Sequence, residues 1–353
     1  MAELTAAGYR VAQWATGNIG NRAMREVIRH PDLHLVGVLV YDDAKAGVDA
    51  GALCGEPDVG VTATTDPAVI RDLRADCVLY MPRALELDDV VMLLESGTNV
   101  VTTRGEFIAG GAKLDDVSRS RVLDACQRGG TSIFATGSSP GFITDALPFA
   151  LLSMQRHVEA VEIDEYADLS QRDSPNLLFE LMGFGQPVAS YDPNRAQYIL
   201  GEFQPALGTL AAAAGTPVDA WTAHGEVAAA RQATRIVAGE LAAGSVAAQR
   251  NTIVGSSDGR NVVRFTSHWY CSADVDPAWE LLPTGWRVRV QGDAPFDVQL
   301  PFPVAVEDLG ATTPAYTANR PVNAIPHVCA ARPGIVSVAD LPPIVPGTLL
   351  RSG

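Results

Sequence analysis

Residues 15–20 read Ala15-Thr16-Gly17-Asn18-Ile19-Gly20, a spacing of small residues suited to anion binding by the backbone. Where such a turn ends a strand and opens a helix, free N–H groups and the positive helix end face a phosphate. Gly17 then lets the backbone approach the pyrophosphate of a dinucleotide, and Gly20 lets helix and strand pack closely. Thr16, Gly17, Asn18, Ile19 and Gly20 are therefore expected to hold a cofactor. Alanine stands where the fingerprint has its first glycine.

About 20 residues further on, a second apolar run ends in Tyr41-Asp42-Asp43. Asp42 is placed to accept hydrogen bonds from the adenosine ribose, and a carboxylate there repels a 2′-phosphate, which favours NAD. Lys45 pulls the other way, since its ammonium would pair with that phosphate in NADP. The expected cofactor is NAD or NADP, with the balance towards NAD.

Three more clusters fall where later strands should end: Tyr80-Met81-Pro82-Arg83, Thr102-Thr103-Arg104-Gly105-Glu106 and Thr136-Gly137-Ser138-Ser139-Pro140-Gly141-Phe142. Ligands of open α/β sheets bind at the carboxyl ends of the strands. Tyr80, Met81, Pro82, Thr103 and Pro140 are accordingly expected near the cofactor, and Phe142 near the substrate. Glu106, a carboxylate on this rim, is a candidate to accept a proton or to stabilise positive charge. Its competing role is an ion pair with Arg104, two residues away on the same side of an extended chain.

These residues need a scaffold, and the pattern of the first ~145 residues supplies one. Short β-rich runs (Tyr9–Trp14, Leu33–Tyr41, Cys77–Tyr80, Asn99–Thr103, Ser132–Ala135) alternate with helical stretches (Asn18–Arg29, Ala68–Leu73, Leu87–Glu95, Val117–Arg128). Apolar strands alternating with helices predict a parallel sheet covered on both faces, a Rossmann-type doubly wound α/β domain. Helical patterns at Asn176–Gly183 and Arg195–Ala214 follow, then runs of strand character. Val246–Val254 and Val262–Tyr270 flank Ser256-Ser257-Asp258-Gly259-Arg260, and Trp286–Val290 and Phe296–Leu300 flank Gly292-Asp293-Ala294-Pro295, as hairpin turns would. Residues 146–321 thus read as an α+β domain with a mainly antiparallel sheet. Glu226–Ala243 is ambiguous, alanine-rich yet alternating. Asn323–Ala331 reads as helix, and residues 322–353 are expected to pack back on the dinucleotide-binding domain, 1–145. In the second domain Phe184 and His268 are candidate substrate contacts; Trp269 and Tyr270 share His268's strand, and Trp269 suits core or interface packing.

The formal net charge of -15 excludes a surface for nucleic acid or anionic membrane. Five scattered cysteines, none at metal-ligand spacing, suit reduced thiols in the cytoplasm and no metal site. The N-terminal stretch lacks a basic region followed by an apolar one, so no signal peptide is expected, and no apolar run is long enough to span a bilayer.

Gln13–Gly20, Asn99–Thr103 with Glu106, Pro140-Gly141-Phe142 and Leu181-Met182-Gly183-Phe184-Gly185 resemble the dihydrodipicolinate-reductase-like family, close to 2,4-diaminopentanoate dehydrogenase and the native amine dehydrogenases. The resemblance covers most of the chain. It implies a homodimer whose α+β domains carry the dimer sheet. It also implies a glutamate at Glu106 that assists attack of ammonia on a ketone and stabilises the iminium receiving a hydride. The paired histidines, lysine and Ser-Gly-Thr loop of true dihydrodipicolinate reductases are missing, which argues against that activity. The relatives' Gly-Val-Asn-Pro-Gly-Phe is Gly137-Ser138-Ser139-Pro140-Gly141-Phe142 here. The expected function is hydride transfer to or from a C=N or C=O carbon of a small amine or carbonyl compound. Reduction of a carbonyl without ammonia, or a non-catalytic nucleotide sensor, are the alternatives.

Overall fold

The structure, a computed structural model, describes residues 8–192 and 194–346. The expectation about a leader falls partly on residues 1–7, and that about the C-terminal stretch partly on 347–353; these lie outside the described residues. The chain divides into two units, residues 1–142 with 314–353, and residues 143–313.

In the first unit the strands are β1 (Tyr9–Trp14), β2 (Leu33–Leu39), β3 (Ala63–Thr64), β4 (Cys77–Tyr80), β5 (Asn99–Thr102) and β6 (Ser132–Ala135). With β16 (Gly334–Val336) they form a sheet of order β16-β6-β5-β4-β1-β2-β3, parallel throughout. Strand order reverses at β1, so the turn after β1 lies at the switch point where such sheets bind ligands. The strands are apolar because helices cover both faces; β4 and β6 are buried along their whole length. Val11, Leu79, Val101 and Phe134 pack with Ala318, Val322, Ile325 and Val328 from the C-terminal helix, Leu309–Cys329. That helix starts earlier than the sequence pattern suggests, because Pro314, Pro321 and Pro326 lie inside it and read locally as breakers.

The second unit holds β7 (Val158–Asp168), β8 (Ala220–Ala230), the small hairpin β9 (Thr234–Ile236) and β10 (Gly239–Leu241), β11 (Val246–Ser257), β12 (Arg260–Tyr270), β13 (Val275–Asp276), β14 (Gly285–Gly292) and β15 (Phe296–Pro301). Its main sheet runs β13-β8-β11-β12-β7-β14-β15 and is antiparallel except at β12–β7. The ambiguous Glu226–Ala243 segment is strand at both ends, in β8 and in the small hairpin. Two long strands, β7 and β8, escape the periodicity reading. Helix Asn194–Ala213 covers one face of the sheet, where Phe203 stacks on Phe265 with ring centroids 4.0 Å apart.

Candidate active site

β1 delivers the chain into the glycine turn, and the helix Asn18–Arg29 starts directly behind it. Ala15 holds φ +73°, the left-handed conformation that the usual glycine adopts freely. A Cβ on Gly20 would lie 2.1 Å from the Ala15 carbonyl oxygen, so strand and helix meet at a distance only glycine allows. A Cβ on Gly17 would meet nothing within 4 Å. Gly17 therefore borders open space at a helix N-terminus, and the turn fits the pyrophosphate of a dinucleotide.

The named residues of this unit fall into two groups. Thr16, Gly17, Asn18, Asp42 and Lys45 surround the turn. Asp42 caps a short helical turn by accepting from the Ala44 N–H at 3.0 Å, and Lys45 Nζ donates to the Thr16 carbonyl at 3.2 Å. Ile19 is partly buried against the sheet core. Tyr80 and Met81 also sit in the core: Tyr80 is fully buried, with its hydroxyl bonded to the Glu86 backbone, and Met81 is 8% exposed. Pro82 follows directly, and the Met81 N–H before it is tied to Trp14 O at 3.0 Å, so these side chains are taken up by the fold.

The later loops form the second group. Thr102 Oγ1 donates to Tyr80 O at 2.6 Å and accepts from Arg104 N at 3.0 Å, which turns the chain after Thr103 towards Glu106. Arg104 Nε donates to Glu106 at 3.1 Å in a two-pronged ion pair, each side chain about one-quarter exposed. Burial would raise the Glu106 pKa, but the hydrogen bonds and charge of Arg104, with the charge of Lys113, outweigh it and hold the carboxyl below its usual range. Glu106 is thus a partly buried, ionised carboxylate. Pro140 follows a cis peptide in the next loop, and the Phe142 N–H closes that loop on Gly137 O at 2.9 Å.

Sequence reasoning missed the side chains that fasten this loop. Arg320 donates to Thr136 Oγ1 at 2.8 Å and lies over the Phe142 ring, and Thr317 is 2.7 Å from Ser138 Oγ. Both stand on the C-terminal helix, about 180 residues from the loop they hold, so no local signal marks them. In the second unit Phe184 is fully buried among Leu178, Leu241 and Ala247. His268 stacks on Tyr166 at 4.3 Å and bonds Asp164 at 3.2 Å, on the sheet face away from Phe265. Among the described residues no helix is long and apolar enough to cross a membrane, and no cluster of His, Cys, Asp and Glu could hold a metal.

Comparison with known proteins agrees with this architecture. The family model of the 2,4-diaminopentanoate dehydrogenase C-terminal domain matches residues 142–351. An amine dehydrogenase of Streptomyces virginiae is 30% identical over 93% of this chain and 95% of its own. The structure of an amine dehydrogenase from Mycobacterium smegmatis superposes with TM-score 0.75 at 18% identity, covering 97% of this chain and 98% of that one. A putative oxidoreductase from Magnetospirillum magnetotacticum shares the fold more loosely, with TM-score 0.52 at 15% identity over 94% and 95% of the two chains. The chain belongs to the family of 2,4-diaminopentanoate dehydrogenase and the amine dehydrogenases, and is an NAD(P)-dependent oxidoreductase.

Proposed function

We propose that this enzyme is an amine dehydrogenase, interconverting a small ketone plus ammonia with the primary amine. The observation that carries the reading is Glu106, a carboxylate kept ionised by Arg104 at the end of β5. The relative from Streptomyces virginiae, an amine dehydrogenase by name, supports it. The nicotinamide cofactor supplies or takes the hydride when bound. The backbone N–H groups of Gly17 and Asn18 hold its pyrophosphate, and Asp42 takes the adenosine ribose hydroxyls. Glu106 stabilises positive charge on the substrate nitrogen as ammonia adds to the carbonyl carbon, a proton passes from nitrogen to oxygen, and water leaves to give the iminium that receives the hydride. Its depressed pKa suits charge stabilisation better than strong base catalysis, because a weakly basic carboxylate remains an anion throughout.

NAD is the preferred cofactor on the strength of Asp42. NADP is the second reading, favoured by the Lys45 ammonium beside Thr16. Lys45→Ala should weaken NADPH binding more than NADH binding; equal losses would remove Lys45 from that choice. A homodimer working in the cytoplasm with reduced thiols is part of the same reading.

The test follows consumption of NADH or NADPH with ammonium and a panel of small ketones. Turnover that requires ammonium is expected. Equal turnover without it would replace amination by carbonyl reduction. Glu106→Gln should lower kcat by about 10²–10⁴-fold, and an unchanged kcat would remove Glu106 from the mechanism.

A further inference from the structure

Two of the five cysteines meet in the first unit. Cys77 opens β4, and Cys329 ends the C-terminal helix, Leu309–Cys329. Alternation along β4 turns Cys77 and Leu79 to the same face, the one that this helix covers. On the helix, Val322, Ile325 and Cys329 follow each other at i, i+3 and i+7, so they share the stripe that lies on the sheet. Cys77 is fully buried in that contact, and Cys329 packs against the same cluster from its partly exposed edge. Two hydrogen bonds fix the approach. Cys329 Sγ donates to the carbonyl of Asp76, directly before Cys77, at 3.5 Å, and the Val328 carbonyl accepts from Ser132 Oγ at 2.6 Å. The two thiols are neighbours.

The other three cysteines are placed differently. Cys54 lies in a separate cluster with Met24 and Val38, Cys126 is buried within the helix Asp116–Gly129, and Cys271 belongs to the second unit. Cys77 is closed off from solvent, and burial, together with the Cys329 thiol beside it, pushes its pKa well above the usual thiol range. An external oxidant therefore meets the Cys329 sulfur first. β4 runs parallel to β1, with Cys77 opposite Val11 and Tyr80 opposite Trp14, so the pair sits at the end of the strands away from the glycine turn.

We infer that Cys77 and Cys329 are a redox modification site, which closes to a disulfide when the protein meets hydrogen peroxide and so locks the C-terminal helix to the sheet. The peroxide oxidises the Cys329 thiol to a sulfenic acid and is itself reduced to water. The Cys77 sulfur then bonds to the Cys329 sulfur, the S–OH bond breaks, and the Cys77 proton leaves with the hydroxyl as a second water. The bond ties the helix that carries Thr317 and Arg320 to the first residue of β4, and it closes a loop of most of the chain, which restricts the unfolded state strongly. A dithiol reverses it by exchange. None of this depends on the amine dehydrogenase reading.

The full chain is incubated with hydrogen peroxide, blocked with iodoacetamide without reduction, and digested for mass spectrometry. The expected product is a peptide pair linked through Cys77 and Cys329, lighter by two hydrogen atoms than the two free peptides and lost on treatment with dithiothreitol. The melting temperature of the oxidised protein should exceed that of the reduced form by about 3 °C or more. Cys77→Ala keeps a small apolar side chain at the buried position. In that variant peroxide should leave a Cys329 sulfenic acid that dimedone captures, with no rise in melting temperature. Cys329 recovered as a sulfinic acid beside an alkylated Cys77 in the unaltered protein would overturn the site, whether or not the variant folds. A linked pair with an unchanged or lower melting temperature would overturn the lock.

Discussion

The glycine turn of the first unit and the row Asn251, Ser267, Glu165 and Trp286, paired across the main sheet of the second, are built on different principles. The turn is made of backbone: Ala15, Gly17 and Gly20 matter for what their main chain can do and for what a side chain would obstruct. The row is made of side chains, from β11, β12, β7 and β14, brought together only by strand register. A backbone site is written in six consecutive residues, and it tolerates almost no addition of bulk where it packs. A side-chain site is spread over more than a hundred positions and depends on hydrogen bonds that each residue supplies to the next.

The largest effect should come from Gly20. Gly20→Val puts a branched side chain against the Ala15 carbonyl, a main-chain atom that cannot rotate away, and should cost at least about 3 kcal/mol in denaturant unfolding. Gly17→Ala is the matching control. Its φ of -71° is ordinary and its new methyl meets open space, so stability should fall by less than about 1 kcal/mol while cofactor affinity drops. Equal stability losses for the two would show that the turn is not divided into a packing glycine and a ligand-facing glycine.

This division explains what could be read without the structure. The parallel sheet and the turn were legible because their signals, apolar runs and glycine spacing, are local. β7 was not, because acids at positions 159, 162, 164, 165 and 168 break the strict alternation of Val158–Asp168 and no turn residue punctuates it. Glu165 was hidden for the same reason: its partners Trp269 and Trp286 lie 104 and 121 residues away. Glu106 was legible together with its competitor Arg104, since both roles rest on a two-residue spacing, and the structure keeps the ion pair. Arg320 and Thr317 stayed invisible because prolines disguise their helix.

A side-chain site should fail differently. Asn251 is 2% exposed and serves both Tyr191 and Ser267. Asn251→Leu keeps the branched shape but leaves the Tyr191 hydroxyl without its acceptor, and should cost about 1–3 kcal/mol in denaturant unfolding. Cofactor affinity should stay as it was. A variant as stable as the parent would mean that the row is not a connected network.

A pH profile sharpens the comparison at Glu106, on the loop that follows β5 in the first unit. Glu106 acts ionised, and Arg104 lowers its pKa, so activity should persist as pH falls until the carboxylate takes up a proton. Arg104→Met removes the hydrogen bonds and the charge while burial remains, which raises the pKa. The acid limb of kcat/KM should therefore move to higher pH. A limb that stays in place, with Glu106→Gln inactive, would assign that limb to another group.

The smallest effect tests the departure from the fingerprint. Ala15 pays for a left-handed backbone that glycine adopts at no steric cost, while glycine gains entropy in the unfolded chain. The first term exceeds the second for a residue locked between β1 and the helix behind it, where Gln13 Nε2 holds the Ala15 carbonyl at 2.9 Å. Ala15→Gly should then stabilise the protein by about 0.5–1 kcal/mol in denaturant unfolding, with cofactor affinity unchanged. Ala15 is 6% exposed, so removing its methyl gives up some buried apolar area and holds the net gain below the strain relieved. A destabilised variant would mean that this methyl packs against the turn strongly enough to outweigh the strain, and the turn would then owe part of its shape to a side chain after all.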